Sequence, residues 1–188
     1  DISLEMKAGV IPVRADGSRW TLSANPPAFR DVVLSNSELA AVLGLDAADV
    51  LDGARWVSTG SEQLIIPLAT VDAVRRARPR PDRLAAVASD SGRSMAYVFA
   101  ATGAGKLTSR FFFLKHDSVI EDPGTGSATA NLGGWFIGND SPLPVEFEIL
   151  QGEAVNRTCH LGLKVNAAQQ IFVSGRVLEI GRGVVTLP

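Results

Sequence analysis

Residues 127–137 constrain the fold more than any other part of this chain. The run Ser127-Ala128-Thr129-Ala130-Asn131-Leu132-Gly133-Gly134-Trp135-Phe136-Ile137 carries no charged side chain, and apolar residues fall on every side of a helical projection. A helix that is apolar all round is buried all round. Gly133 and Gly134 would each cost about 1 kcal/mol relative to alanine in a helix, a cost offset where another backbone approaches closely. The expected architecture is α+β: one central buried helix over about 127–137, wrapped by a curved, mostly antiparallel sheet.

The segments available for that sheet are short and punctuated by 18 glycines and 10 prolines. Residues 9–14 and 19–24 alternate around Ala15-Asp16-Gly17, which reads as a hairpin. Asn25-Pro26-Pro27 closes that unit, because a residue preceding proline is pushed out of helical geometry. We place the main boundary there, between residues 1–27 and 28–188. Further strands are expected at 54–59, 63–68, 94–101, 107–114, 145–150, 160–165, 170–173 and 177–180. Ser35 and Glu38 stand at capping-box spacing ahead of a short helix, and a second helix follows Thr70. It ends in the basic run Arg75-Arg76-Ala77-Arg78-Pro79-Arg80-Pro81-Asp82-Arg83, read as a solvated loop because prolines interrupt it and no aromatic residue is interleaved.

Of 188 residues, 46% are hydrophobic and 20% charged, with a net charge of −2. No basic field favours nucleic acid. No stretch approaches the ~20 apolar residues of a spanning helix, so no membrane partner is expected. The N-terminal residues lack the basic and apolar regions of a signal peptide. The single cysteine, Cys159, excludes an internal disulfide and fits a reducing compartment. From these features we expect a cytoplasmic protein. His116 and His160 have no neighbours at metal-ligand spacing, so no metal site is expected.

Several motifs fail. Gly105-Lys106 lacks the preceding glycine and the following Ser or Thr of a P-loop. Gly124-Thr125-Gly126 lacks the third glycine of a dinucleotide fingerprint. Ser127 is not in a nucleophile elbow. The segment that remains is Glu121-Asp122-Pro123-Gly124-Thr125-Gly126-Ser127-Ala128. Free N–H groups and the positive dipole end at a helix beginning near Ser127 can hold an anion. Gly126 lets a ligand carboxylate approach the backbone. Ser127 adds a hydroxyl, and Asp122 can accept from an amine or hydroxyl of the same ligand. An N-capped helix without a ligand has the same pattern.

Val119-Ile120-Glu121-Asp122-Pro123-Gly124-Thr125-Gly126-Ser127-Ala128 resembles the G-[IV]-x-E-D-P-x-T-G-S-A signature of the phenazine-biosynthesis isomerases (PhzF-like proteins), which share the diaminopimelate epimerase fold. Supporting similarities are Ser58-Thr59-Gly60 through Leu68, Arg110-Phe111-Phe112, Gln151-Gly152 with Arg157, and Val173-Ser174-Gly175-Arg176. The resemblance implies two lobes, each a helix held in a curved sheet, with the helix heads facing across a cleft. It implies an isomerase that relocates a proton on a small carboxylated substrate, without metal or organic cofactor. Asp122 matches the catalytic aspartate. Gly126 and Ser127, with Thr125 and Ala128, match the substrate-binding turn.

The sequence departs from that family at Gly124, at Thr158-Cys159 and at Ser118. The acid/base glutamate and the helix histidine of the first lobe have no counterpart here. Residues 1–27 match the last strands of that lobe, and the first residue is Asp1, so the expectation is the C-terminal portion of a cleaved, split or truncated protein. A missing N-terminal segment or second chain is then an expected partner, and a homodimer is expected for the complete protein. The alternative is a non-catalytic binding or partner subunit that keeps the anion pocket. Two-thiol racemisation is not expected, since no thiol heads the central helix.

Overall fold

The computed structural model describes residues 1–6 and 9–186, apart from the side chain of Met6. Twelve strands form one sheet: β1 (Ile2–Met6), β2 (Gly9–Asp16), β3 (Arg19–Ser23), β4 (Ala28–Asp31), β5 (Arg55–Ser58), β6 (Glu62–Pro67), β7 (Met95–Gly103), β8 (Lys106–Lys115), β9 (Ser118–Asp122), β10 (Val145–Gln151), β11 (Cys159–Val165) and β12 (Ile171–Arg176). Among the described residues four α-helices accompany them, α1 (Asn36–Leu43), α2 (Val71–Arg76), α3 (Pro81–Ala85) and α4 (Gly126–Gly138), with two short 3-10 turns at Ala47–Asp49 and Glu153–Val155. The strand order is β1-β2-β3-β12-β11-β10-β8-β7-β6-β5-β4, with β9 pairing off β8. All pairs are antiparallel except β6 with β7 and β8 with β10. Both exceptions follow crossovers, through α2 and α3 in one case and α4 in the other, as parallel neighbours require.

The middle strands are buried on both faces, and their sequence shows why. Trp56, Leu64, Ile66, Val98 and Phe112 point to a core shared with α1, α2 and α3. Their neighbours Val57, Ile65, Tyr97 and Phe111 point to a second core built on Ala128, Ala130 and Leu132 of α4. Period-two alternation between two apolar faces reads as an unbroken apolar run, which is the character of Leu64-Ile65-Ile66. The α4 core continues through Ile149, Leu163 and Ile171, so the sheet curves round the helix. The α4 helix is fully buried from Ala128 to Gly134 and half-buried beyond.

The expected glycine contacts take a different form. A Cβ at Gly133 would lie 2.7 Å from Cγ2 of Ile171, and one at Gly134 would lie 2.7 Å from Cγ1 of Val57. The close neighbours are packed side chains, not backbone.

Other expectations shift. The capping box forms, with Ser35 Oγ accepting from Glu38 N–H and the Glu38 carboxylate accepting from Ser35 N–H. The β2–β3 hairpin turns at Gly17. It then continues the main sheet, with β3 pairing along β12. The basic run is not all loop: Pro81 starts α3, which buries Leu84. Its arginines form ion pairs, Arg76 with Asp49 and Asp72, Arg80 with Asp82, and Arg75 with Glu153. Residues 177–180 form no strand, whereas β1, β4 and β9 are strands that the sequence reading left out. No helix among the described residues is long and apolar enough to cross a membrane.

Candidate functional site

Strand β9 delivers Asp122 to the edge of β8, and a three-residue turn leads into α4. The strand is fixed by its neighbour. Arg110 on β8 is 6% exposed and donates from Nε and Nη2 to both oxygens of Glu121, at 3.0 and 2.6 Å. Its Nη1 donates to the carbonyls of Val74, Arg75 and Ala77 at the end of α2. Glu121 is therefore a structural anchor, and its sequence neighbour Asp122 is the residue presented.

Asp122 is oriented by a buried amide. Gln151, wholly buried at the end of β10, donates from Nε2 to the Asp122 carbonyl at 2.8 Å and accepts at Oε1 from the Thr125 N–H at 3.3 Å. Those two backbone partners leave one orientation for the amide. Its Nε2 also donates to Thr125 Oγ1 at 3.0 Å, so the Thr125 hydroxyl donates onward to Asp122 Oδ2, 2.5 Å away. Among the described residues, the carboxylate makes no other side-chain hydrogen bond.

Gly152 makes this turn close. Its φ of +85° suits glycine, and a Cβ there would meet the carbonyls of Arg157 and Pro123 at 2.3 and 2.5 Å.

Thr125 is the N-cap of α4, yet its side chain serves Asp122 and not the helix. The first rung of the helix runs from Thr129 N–H to Thr125 C=O at 3.0 Å. The N–H groups of Gly126, Ser127 and Ala128 lie ahead of that ladder, which is where an anion finds donors. Asp122 and Ser127 line one cavity of about 810 Å³ together with Gln63, Met95, Phe111 and Phe113.

The expected site residues separate accordingly. Asp122 and Ser127 share the cavity, Gly126 is half-buried beside them, Thr125 is a buried positioning residue, and Ala128 is wholly buried in the α4 core. Only the Ala128 amide, not its side chain, belongs to the helix head. Ser127 is exposed, so the helix head is open to solvent within this chain, contrary to the expectation of a buried one.

The sequence reading gave no role to Gln63, Asn131 or Gln151. Each is a buried amide, but only Asn131 stands in a charge-free run, so it alone carried a signal, while Gln63 and Gln151 have glutamates within two residues. Cys159, distant along the chain, comes back to the turn: a Cβ on Gly124 would lie 2.8 Å from its Sγ. Cys159 is half-buried, and its thiol donates to the Arg157 carbonyl at 3.4 Å.

Tyr97, in the core behind α4, is no acid near neutral pH, because burial pushes its phenol up to about 12. No group of three or more His, Cys, Asp or Glu suited to a metal occurs among the described residues.

A helix held in a curved sheet, with its open head beside an oriented carboxylate, places this chain in a fold class that includes solved racemase structures. A probable proline racemase from Agrobacterium radiobacter, solved with bound carbonate, matches with a TM-score of 0.57 at 11% identity, over 100% of this chain and 60% of that one. The phenazine biosynthesis protein of the PhzF family from Bacillus anthracis matches with a TM-score of 0.72 at 21% identity, covering 93% of this chain and 64% of that one.

The chain belongs to the phenazine biosynthesis-like (PhzC-PhzF) protein family, whose model matches residues 1–186. It is 34% identical over 147 residues to an uncharacterized isomerase of Pasteurella multocida, covering 78% of this chain and 49% of that protein. It is 26% identical over 175 residues to an uncharacterized isomerase of Bacillus subtilis, covering 88% and 60%. The chain thus spans about half to three-fifths of the curated relatives it matches.

Proposed function

We propose that this chain is the C-terminal portion of a PhzF-like isomerase that relocates a proton on a small carboxylated metabolite by general acid–base chemistry. The observation that carries the reading is the pairing of Asp122 and Ser127 on one cavity wall, at the open head of α4. The Gly126 and Ser127 amides and the Ser127 hydroxyl hold the carboxylate. Asp122 accepts from a hydroxyl or amine of the same ligand and keeps the reacting carbon in register. Proton transfer at carbon falls to a carboxylate in the first lobe, outside this chain, and needs neither metal nor organic cofactor.

Residues 1–27 then complete that first lobe in the fold of the diaminopimelate epimerases, and residues 28–188 form the second. Exposed apolar residues support a covering by further chain: Ile2 and Leu4 on one face of β1, Val10 on the opposite face of β2, and Val177, Leu178, Ile180, Val184 and Val185 near the C-terminus. The complete protein is proposed to act in the cytoplasm as a homodimer.

The test is deuterium wash-in. The complete protein is incubated in D₂O with a panel of hydroxy- and amino-substituted carboxylic acids, and carbon-bound deuterium is followed by NMR. A substrate should gain deuterium with the wild type, and Asp122→Asn should slow the gain at least a hundredfold while binding weakens less. Binding of the panel with no exchange at carbon would overturn the isomerase reading in favour of a binding subunit.

A further inference from the structure

Behind Ser127 lies a chain of hydrogen bonds whose direction is fixed at its far end. Asn131, on α4 one turn after Ser127 and wholly buried, accepts at Oδ1 from both the N–H and the hydroxyl of Thr59, each at 2.8 Å. Its Nδ2 donates to the Ser61 carbonyl at 2.8 Å. A backbone donor on one side and a backbone acceptor on the other leave this amide a single orientation. Its second Nδ2 hydrogen goes to Gln63 Oε1 at 2.9 Å. Gln63, on β6 and 2% exposed, must then turn its Nε2 outward, and that nitrogen donates to Ser127 Oγ at 3.1 Å. The strand carrying Gln63 is itself pinned, because the Arg30 guanidinium forks onto the adjacent Glu62 at 3.0 and 2.9 Å.

A hydroxyl that accepts from Gln63 cannot aim its own hydrogen back at the same nitrogen. Among the described residues it has no other hydrogen-bond partner, so the Ser127 O–H is left to donate into the cavity. We infer that Gln63, held by Asn131 and Thr59, is a positioning and specificity residue: it directs the Ser127 O–H into the cavity as a donor, where a carboxylate, charged and with an acceptor on both oxygens, gains more than a primary amide, which brings one neutral acceptor and one donor group. The inference rests on the proposed role of Ser127 as a carboxylate ligand, and it assigns the source of that preference. The preference comes from charge, since a hydrogen bond to an ionised acceptor is roughly twice as strong as one to a neutral acceptor.

Gln63→Glu is the isosteric reversal. A carboxylate at position 63 still accepts from Asn131, but it also accepts from the Ser127 hydroxyl, which then presents a lone pair to the cavity. Benzoate and benzamide are suitable probes, one bringing acceptors and the other also a donor, with a ring for the wall of Met95, Phe111 and Phe113. Their affinities would be measured by NMR titration of the complete protein as wild type, Gln63→Glu, Ser127→Ala and the double variant.

The wild type should prefer benzoate, and Gln63→Glu should weaken benzoate at least tenfold while leaving benzamide within about threefold. In the Ser127→Ala background the same substitution should cost benzoate no more than about threefold, the part due to added charge alone. Equal losses for both probes, or an equal benzoate loss in the two backgrounds, would overturn the relay.

A ligand-free arm keeps the two readings apart. The Gln63 side-chain amide resonance should shift when the exposed Ser127 becomes alanine, and an unmoved resonance would also overturn the relay. Equal benzoate affinity in wild type and Ser127→Ala would instead overturn the carboxylate reading, with the amide resonance still deciding the relay.

Discussion

Among the polar residues near α4, the decisive ones are those whose orientation is imposed from the backbone. Gln151 reads one backbone donor and one backbone acceptor, and the Thr125 hydroxyl has a single direction as a result. Arg110 does the same with charge. It neutralises Glu121 and satisfies three carbonyls at the end of α2, with its guanidinium 4.7 Å over the Phe112 ring. A buried ion pair gains little over an apolar pair of equal volume, yet removing one partner strands the other. Arg110→Ala should therefore lower unfolding stability by about 3–5 kcal/mol, read as a fall in the urea midpoint. Replacing both residues with a packed apolar pair should recover most of that loss. Full stability of the single variant would show that Glu121 finds water or another partner.

At the scale of the element, α4 contradicts its own propensities. Two adjacent glycines in a helix interior cost about 2 kcal/mol against alanine. The contacts explain why they stand there: Ile171 and Leu163 occupy the space beside Gly133, and Val57 and Pro27 the space beside Gly134. Gly133→Ala gains about 1 kcal/mol of propensity and meets overpacking of about 1–3 kcal/mol against Ile171. The expected outcome is net destabilisation, seen as a lower Tm. Gly133→Ala combined with Ile171→Val should be closer to wild type than the sum of the two changes, since they share one space. Additive losses would mean that the helix shifts as a body.

At the scale of the molecule, two cores on opposite faces of β5–β8 make the middle of the sheet its most protected part. The amides of β7 and β8, hydrogen-bonded to neighbours on both sides and buried above and below, should exchange with solvent slowest. Those of β1, which pairs only with β2 among the described residues, should exchange much faster. Hydrogen-exchange mass spectrometry measures both, and comparable protection of β1 and β7 would show that the N-terminal edge is covered.

The helix over 127–137, the hairpin at Gly17, the cap at Ser35 and the helix after Thr70 were legible because each is a local pattern: a charge-free run, a turn residue, a side chain within reach of its own helix. Strands β1, β4 and β9 were not, since short polar-alternating segments become strands only when a neighbour supplies the ladder. Residues 177–180 have a strand's composition, but after the single bond from Val177 N–H to the Ser18 carbonyl no ladder continues among the described residues. Local sequence thus determined where the chain turns and which helix must be buried, because those energies are settled within a few residues. The polarity of Ser127 and the anchoring of Asp122 were decided by tertiary structure alone. They depend on Thr59, Gln63 and Gln151, distant along the chain, and on Asn131, one turn along α4, side chains whose directions have no meaning until the backbone groups they read are in place.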